Sequence, residues 1–232
     1  MIEILESFEV LLNKTKQIID NLRTIDKNNI YFLQLGAGDG IMFDFVEQIT
    51  IPSDFGILVE PYDESFQLLL KNKPSEKFPN YTFKKCAVLP DRFFNLNLTF
   101  NVQVRRAGDS ISGGNHFFPG QTKHGCEFIK GECIQISLQE FLKKNVTHFI
   151  DVLIIDIEGL DGDIIMEYLD LQQPSVIIFE YWQIMDEMHY PDIRQSHGLD
   201  VEKLQTVINK LNLLGYSLIR YADDYCAFKT DL

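Results

Sequence analysis

At 232 residues, the chain is long enough for one well-buried domain and short for two, so we expect a single domain over 1–232. Hydrophobic residues make up 45% and charged residues 24% of the sequence, as in ordinary globular proteins, and no apolar run approaches the ~20 residues that cross a bilayer. The net charge of −13 argues against a nucleic-acid partner, because neutralising phosphates takes clustered Lys and Arg.

The N-terminal segment, residues 1–29, is predicted to be helical and to pack on the rest of the domain. From residue 2 onwards its apolar side chains recur close to helical spacing, which indicates an amphipathic helix or a pair of helices. The first ten residues carry acids where a secretory signal carries basic residues, so we expect a cytoplasmic protein. The four cysteines have no CxxC spacing, which indicates neither a zinc site nor a disulfide framework.

The stretch YFLQLGAGDG, over 31–40, predicts a short apolar strand that runs into a glycine-rich turn. Gly36, Gly38 and Gly40 let the backbone turn tightly and come close to a bound nucleotide, because no Cβ atom blocks the approach. A glycine-rich turn without any ligand is the alternative. A second predicted strand favours the nucleotide, because it ends at Glu60, where a doubly wound sheet places a carboxylate against ribose hydroxyls.

The spacing of the glycines indicates which nucleotide is bound. The dinucleotide fingerprint G-x-G-x-x-G/A requires a third small residue at position 41, so that the next helix packs closely on the strand. Position 41 is Ile, the first residue of a helix predicted over 41–49. The pattern G-x-G-x-G suits a ligand without a pyrophosphate, so S-adenosylmethionine is favoured over NAD.

A long loop is predicted in the middle of the chain, after a helix over 64–72 and a strand over 81–88. From residue 93 the alternating sequence LNLTFNVQV indicates a β-excursion, whose return strand is predicted at 133–136. A loop of this length in a compact domain is usually functional or disordered. We favour an acceptor-binding loop over disorder because the segment contains His116, Phe117, Phe118 and His124.

The second half of the chain alternates helices with strands, which predicts a mostly parallel sheet with helices on both faces. The sequence DVLIIDIE predicts a central strand over 151–158, because its Val and Ile run suits a strand that is buried on both faces. The last two strands surround a tight turn and predict an antiparallel hairpin over 215–229. The remaining predicted elements are helices over 136–144, 161–169 and 201–214 and a strand over 175–180.

Polar residues end nearly every predicted strand, and in such a sheet ligands lie at the carboxyl ends of the strands. These residues are Gln34, Glu60, Asp156, Glu158 and Glu180. A carboxylate at a strand end can instead cap the following helix. Capping explains Asp156 poorly, because this acid lies inside an otherwise apolar predicted strand, where a charge is costly unless it has a partner. The sulfonium and ammonium groups of S-adenosylmethionine are cationic and supply such a partner.

These motifs together resemble the FkbM family of S-adenosylmethionine-dependent methyltransferases. The series consists of LGAGDG, VEP at 59–61, ISLQEFL, LIIDIEGLDGDII at 153–165, VIIFE and a terminal L-x-x-x-GYSL, and it covers residues 30–230. The resemblance implies a class I methyltransferase fold, which is Rossmann-like and has a seven-stranded sheet that ends in an antiparallel hairpin. It also implies O-methylation of small hydroxylated substrates, often sugars.

The resemblance also implies roles for individual residues. Gly36, Ala37 and Gly40 would form the donor loop, Glu60 would hold the ribose, and Asp156 would face the methionine end and the reacting centre. The family commonly has an Asp where this chain has Gln34, whose amide can still hydrogen-bond the ammonium group of the donor. The complete predicted donor-binding set is Gln34, Gly36, Ala37, Gly38, Gly40, Glu60, Pro61, Ala87 and Asp156.

Methyl transfer to an alcohol requires the hydroxyl proton to leave, which takes a nearby base or a metal that acidifies the hydroxyl. The predicted catalytic residues are Asp156, Glu158, Glu180 and His116. The carboxylates rank first, because a loop histidine such as His116, His189 or His197 is more often a surface residue. Asp156 and Glu180 are also the predicted ligands of a Mg²⁺ ion, which binds oxygen atoms.

The leading functional hypothesis is an O-methyltransferase that acts on a small molecule, most plausibly a sugar, nucleotide sugar or glycan. A metal-dependent phenolic O-methyltransferase would use a similar set of acids. A catalytically silent fold that binds the donor or a partner protein is the alternative outside enzymology. An NAD oxidoreductase is disfavoured by Ile41, and an oligomer is compatible with the sequence.

Overall fold

The structure, a computed structural model, describes residues 2–25, 29–41, 45–94, 100–104, 127–157, 160–181 and 201–230. Within these ranges the strands are β1 (Ile2–Ile4), β2 (Tyr31–Leu35), β3 (Phe55–Val59), β4 (Tyr81–Lys84), β5 (Ala87–Leu89), β6 (Phe100–Val104), β7 (Glu127–Gly131), β8 (Gln135–Ser137), β9 (Val152–Ile155), β10 (Val176–Glu180), β11 (Tyr216–Tyr221) and β12 (Asp224–Lys229). The helices are α1 (Phe8–Ile25), α2 (Phe45–Ile49), α3 (Asp63–Asn72), α4 (Asp91–Phe94), α5 (Leu138–Asn145), α6 (Asp161–Leu171) and α7 (Val201–Leu213).

The main sheet has the order β1-β11-β12-β10-β9-β2-β3-β4 in the described part of the chain. Its neighbouring strands run parallel, except that β12 runs antiparallel to both β10 and β11. The central strand β9 is buried along its whole length, as a parallel strand covered on both faces requires. The predicted parallel sheet with its C-terminal antiparallel hairpin is confirmed.

Helices cover both faces of the sheet because successive side chains of each strand point to opposite sides. In β2, Leu33 and Leu35 pack in one apolar cluster with residues of α5, α6 and α7. Phe32, which precedes Leu33 and lies on the opposite face, packs in a second cluster with residues of α1, α2 and α3. None of the helices in the described ranges is both long and apolar enough to cross a membrane.

The N-terminal segment differs from the prediction at its first residues. Residues 2–4 form β1, which pairs in parallel with β11, so a helix from residue 2 is wrong and the amphipathic helix begins at Phe8. This edge strand brings the main sheet to eight strands in the described residues, where seven were predicted. Ile2 and Ile4 flank Glu3 in a strand-like alternation that is too short to be separated from the helical pattern that follows.

The β-excursion is confirmed, but its return strand is not the predicted one. Strand β6 pairs antiparallel with β7, which begins at Glu127, whereas 133–136 was predicted. The predicted 81–88 strand is two strands, because β5 leaves the main sheet and pairs in parallel with β8. The Ala87 amide donates a hydrogen bond to the Ile134 carbonyl at 2.8 Å, and this bond draws the chain away from β3.

A buried ion pair joins α1 to the segments that precede β2 and β3. Asp54 is fully buried and accepts hydrogen bonds from the backbone amides of Ile30, at 3.0 Å, and Ile51, at 2.8 Å. Its carboxylate also contacts Nη2 of Arg23 at 2.5 Å. The other terminal nitrogen of Arg23 contacts Asp20, whose side chain is 52% exposed.

Candidate active site

The glycine loop, residues 36–40, connects β2 to α2 and folds onto the end of β3. The amides of Gly36 and Ala37 donate hydrogen bonds to the Val59 carbonyl at 3.0 and 2.9 Å. Gly36, Gly38 and Gly40 have φ angles of +82°, +55° and +72°, a region that residues with a Cβ atom rarely adopt. The three glycines are therefore required by the shape of the loop itself.

Two of these glycines differ in what surrounds them. A Cβ atom on Gly36 would lie 1.7 Å from the backbone oxygen of Asp156, because the loop passes directly over the end of β9. Apart from Gly38 itself and its two chain neighbours, no heavy atom of the described residues lies within 4 Å of the corresponding position on Gly38. The backbone at Gly38 is thus open on one side, as it must be for a ligand to approach it closely.

Glu60, which directly follows β3, lies against the glycine loop. Its carboxylate is 6% exposed and accepts hydrogen bonds from the amides of Gly38 and Tyr62, both at 2.9 Å. Burial raises the pKa of Glu60 to about 7; the two amides oppose this shift and the nearby Asp39 adds to it. The loop therefore holds a carboxyl group that ionises near neutral pH.

Gln34 presents an unsatisfied acceptor beside the same loop. The residue is 6% exposed, and no described residue donates a hydrogen bond to its Oε1 atom. Leaving such an atom buried and unpaired costs about 1–3 kcal/mol, so native proteins rarely keep one without a reason. A ligand that donates a hydrogen bond to Oε1 would remove this cost, which is what the ammonium group of S-adenosylmethionine can do. The residues around the loop therefore fit this donor.

A Gln34→Leu substitution tests this explanation of the unpaired oxygen. We expect S-adenosylhomocysteine, which carries the same ammonium group, to bind about 10- to 100-fold more weakly, because a hydrogen bond to a charged group is lost. The free energy of unfolding of the free protein should stay the same or rise, because a leucine of similar volume leaves no acceptor unpaired. Calorimetric titration and urea denaturation measure the two quantities.

Gln205→Leu, on the exposed surface of α7, is the matched control and should leave the affinity unchanged. A Gln34→Leu protein that binds within twofold of the wild type would contradict the assignment. So would a large loss of stability, since it would mean that Gln34 has a partner inside the protein.

Asp156 lies at the predicted place along the chain but not in the predicted environment. Strand β9 ends at Ile155, and the side chain of Asp156 is exposed. The inference that a charge is buried inside an apolar strand is therefore wrong, because the strand predicted over 151–158 ends at Ile155, before Asp156. The backbone of Asp156 remains beside the glycine loop: its amide donates to the Leu35 carbonyl at 3.0 Å, and its carbonyl oxygen lies 1.7 Å from where a Cβ atom on Gly36 would be.

Glu180 and Asp224 form an acidic pair next to this position. Glu180 is the last residue of β10, and the strand register places Asp224 of β12 directly opposite it. Burial raises the pKa of Asp224 to about 6, and the neighbouring Asp223 raises it further in the same direction. The sequence analysis missed Asp224 because it directly follows the hairpin turn, as the first residue of β12; only the pairing of β12 with β10 places it opposite Glu180.

Other predicted residues have different outcomes. Ala87 lies in a small apolar cluster with Leu89 and Leu160, and its amide is already bonded within the fold. Pro61 follows Glu60 and leads into α3. Glu158 and the histidine, tryptophan and phenylalanine residues predicted on the acceptor side lie outside the described residues: His116, Phe117, Phe118, His124, Trp182, His189 and His197.

A metal centre finds no support in the described ranges. They contain no group of three or more His, Cys, Asp or Glu side chains arranged to hold a metal ion. Asp156 and Glu180 therefore do not form such a site with a third described residue, and the mechanism proposed below uses no metal.

Cys86, Cys133 and Cys226 are free thiols.

Comparisons with known proteins agree with the geometry. The family model of the methyltransferase FkbM domain matches residues 21–218. The fold is similar to the crystal structure of a protein from Staphylococcus aureus assigned as a caffeoyl-CoA O-methyltransferase, with a TM-score of 0.54 and 13% identity over 98% of this chain and 86% of that one. It is also similar to the METTL16 methyltransferase domain, with a TM-score of 0.51 and 9% identity over 98% of this chain and 72% of that one.

A search of curated protein sequences finds no match to the chain. At identities of this order, the likeness to solved structures shows the fold alone, which is that of the class I methyltransferases. The family match covers most of the chain and includes the glycine loop, Glu60 and the strands β9 and β10. The chain therefore belongs to the FkbM family of S-adenosylmethionine-dependent methyltransferases.

Proposed function

We propose that the protein transfers a methyl group from S-adenosylmethionine to a hydroxyl group of a small acceptor, a sugar, nucleotide sugar or glycan. The observation that carries the donor half of this proposal is the pair of buried polar groups beside the glycine loop. Gln34 offers an unpaired acceptor, and Glu60 offers a carboxylate. A cationic amino-acid tail and a ribose are complementary to this pair.

On the donor side, the chain binds and orients S-adenosylmethionine. The open backbone at Gly38 admits the ligand, Gln34 accepts a hydrogen bond from the ammonium group, and Glu60 accepts hydrogen bonds from the ribose hydroxyls. When bound, S-adenosylmethionine supplies an electrophilic methyl group on a positively charged sulfur. The exposed carboxylate of Asp156, at the end of the adjacent strand, favours positive charge at this edge of the sheet.

On the acceptor side, the chain supplies a base. An alcohol attacks a methyl carbon well only if its proton is taken up during or after the attack. The described candidates for this base are three carboxylates on adjacent strands of the sheet: Asp156 follows β9, Glu180 ends β10 and Asp224 begins β12. The raised pKa of Asp224 brings a carboxylate closer to neutral pH, where a base works most effectively. Glu158 and His116 remain predictions for the same role.

The raised pKa of Glu60 gives donor binding a pH dependence. The carboxylate accepts hydrogen bonds from ribose hydroxyls best when it is ionised, so binding should strengthen as the pH rises through about 7. With about a tenth of the groups ionised one unit below the pKa, we expect S-adenosylhomocysteine to bind about tenfold more weakly at pH 6 than at pH 8. Calorimetric titration at the two pH values measures this ratio.

The Glu60→Gln variant is the control, because its amide does not titrate in this range. It should bind more weakly than the wild type at pH 8 and show no tenfold change between the two pH values. The stability of the free protein should depend on pH in the opposite direction to donor binding. Since the folded protein holds the Glu60 proton more tightly than the unfolded chain, the free protein should lose stability as the pH rises from 4.5 to about 7.

The acceptor class is tested by following radiolabelled methyl groups from S-adenosylmethionine to a panel of sugars, nucleotide sugars and catechols, with and without EDTA. We expect label in the sugar class and no loss of activity with EDTA. Transfer to catechols alone, abolished by EDTA, would replace the proposal with a metal-dependent phenolic O-methyltransferase. Donor binding without transfer to any hydroxylated acceptor would favour the catalytically silent alternative.

A further inference from the structure

We propose that α3 holds the glycine loop in its donor-binding shape, and that Asn72 is a positioning residue for the donor. This inference rests on the proposed donor site, because it concerns the loop that forms that site. It is carried by contacts at both ends of α3. One end of the helix is bonded to the loop through Glu60, and the other end is bonded to the loop directly.

At its N-terminal end, α3 contacts the loop through a single carboxylate. The amide of Tyr62, the residue before the helix, donates to Oε1 of Glu60 at 2.9 Å. The amide of Gly38 donates to Oε2 of the same side chain at 2.9 Å. Glu60 thus bridges the start of the helix and the middle of the loop.

At its C-terminal end, α3 contacts the next part of the loop. The side-chain amide of Asn72 donates a hydrogen bond to the Asp39 carbonyl at 2.8 Å. Gly40 packs so closely on this end that a Cβ atom there would lie 2.7 Å from Cδ1 of Leu69 and 3.2 Å from Cε of Lys73. The Lys73 ammonium group, in a side chain that is almost fully buried, pairs with Glu47 of α2 at 2.8 Å.

These contacts close a ring, because Gly38 and Asp39 are consecutive residues. The ring runs from Gly38 through Glu60 and Tyr62 along α3 to Asn72, and returns to the loop at Asp39. A helix changes its length very little, so it fixes the distance between the two points at which the loop is held. The ribose-binding acid and the loop are therefore set relative to each other by one rigid element.

The loop needs such support because of its composition. Glycine has more conformational freedom to lose than any other residue, and this loop orders three glycines at positive φ. If one attachment is lost, the loop is in its binding shape for a smaller fraction of the time, and the apparent affinity falls by that fraction. Asn72 thus affects donor binding through the glycine loop and without contacting the donor itself.

The test compares Asn72→Leu with Asn80→Leu. The Asn80 side-chain amide donates to the Ser53 carbonyl at 3.1 Å, so both variants lose a bond of the same kind, but only one of these bonds reaches the glycine loop. We expect Asn72→Leu to bind S-adenosylhomocysteine about five- to tenfold more weakly, as the loss of one hydrogen bond implies. Asn80→Leu should bind S-adenosylhomocysteine as tightly as the wild type does. The melting temperatures of the two variants should be comparable.

Hydrogen exchange of the free proteins supplies a readout that needs no ligand. The amides of Gly38 and Gly40 should exchange about five- to tenfold faster in Asn72→Leu than in Asn80→Leu or the wild type. Equal exchange in both variants, or an equal loss of affinity in both, would overturn the role of α3. If the wild type does not bind S-adenosylhomocysteine at all, the proposed donor fails, while the exchange result still decides whether α3 holds the loop.

Discussion

A Gly36→Ala substitution is expected to lower the free energy of unfolding by about 3–5 kcal/mol, which combines the strain of a side chain at positive φ with overpacking. The added methyl group would overlap the backbone oxygen of Asp156, and backbone atoms cannot swing aside as a flexible side chain can. The loop and the end of β9 would have to move apart. Urea denaturation of the variant and the wild type measures the change.

Gly38→Ala is the matched control, because it adds the same group in the same loop at a position with no neighbouring atom among the described residues. We expect a loss of about 1–2 kcal/mol from the positive φ angle alone. The methyl group would enter the space kept open for the ligand, so the affinity for S-adenosylhomocysteine should fall by about tenfold or more. Equal destabilisation by both variants would contradict the close contact between Gly36 and β9.

An Asp54→Ala substitution is expected to lower the free energy of unfolding by about 3–5 kcal/mol. Asp54 is not one of the residues assigned to the active site. Its removal would leave the guanidinium of Arg23 without its buried carboxylate, with only the exposed Asp20 as an acidic partner, and two backbone amides without their acceptor. Uncompensated buried charge is among the few causes of a loss this large. Donor affinity, measured under conditions where the variant is folded, should not change.

Asp20→Ala removes the other acid that contacts Arg23 and provides the comparison. Because the Asp20 side chain is 52% exposed, water replaces much of what the ion pair supplies. We expect a change of about 0–1 kcal/mol, as for other surface ion pairs. If Asp20→Ala were as destabilising as Asp54→Ala, the arginine rather than the buried carboxylate would be the source of the stability.

The shape of the glycine loop and the position of Glu60 beside it could be predicted because their causes are local in sequence. Three alternate glycines permit the positive φ angles that a tight turn needs, and Glu60 directly follows a short apolar strand of five residues. The same holds for the buried strand β9, whose apolar run suits a strand covered on both faces. Patterns of this kind need no knowledge of distant residues.

The rest depends on pairing between distant parts of the chain, which periodicity does not reveal. Residues 2–4 form strand β1 because they pair with β11. Asp224 lies opposite Glu180 because β12 pairs with β10. The buried setting predicted for Asp156 was wrong because β9 ends at Ile155 and not at 158, which leaves Asp156 exposed. The role of Asn72 was missed for the same reason, since its partner lies in another segment.

The position of β12 has a consequence for the order in which the protein is made. Although it is the last described strand along the chain, β12 lies between β10 and β11 in the sheet. Before β12 has been synthesised, the edge of β10 that it pairs with therefore lacks this neighbour, and the sequence of β10 is almost entirely apolar. An unpaired apolar edge readily pairs with other chains. Pairing with β12 therefore covers an edge of the sheet that would otherwise favour aggregation.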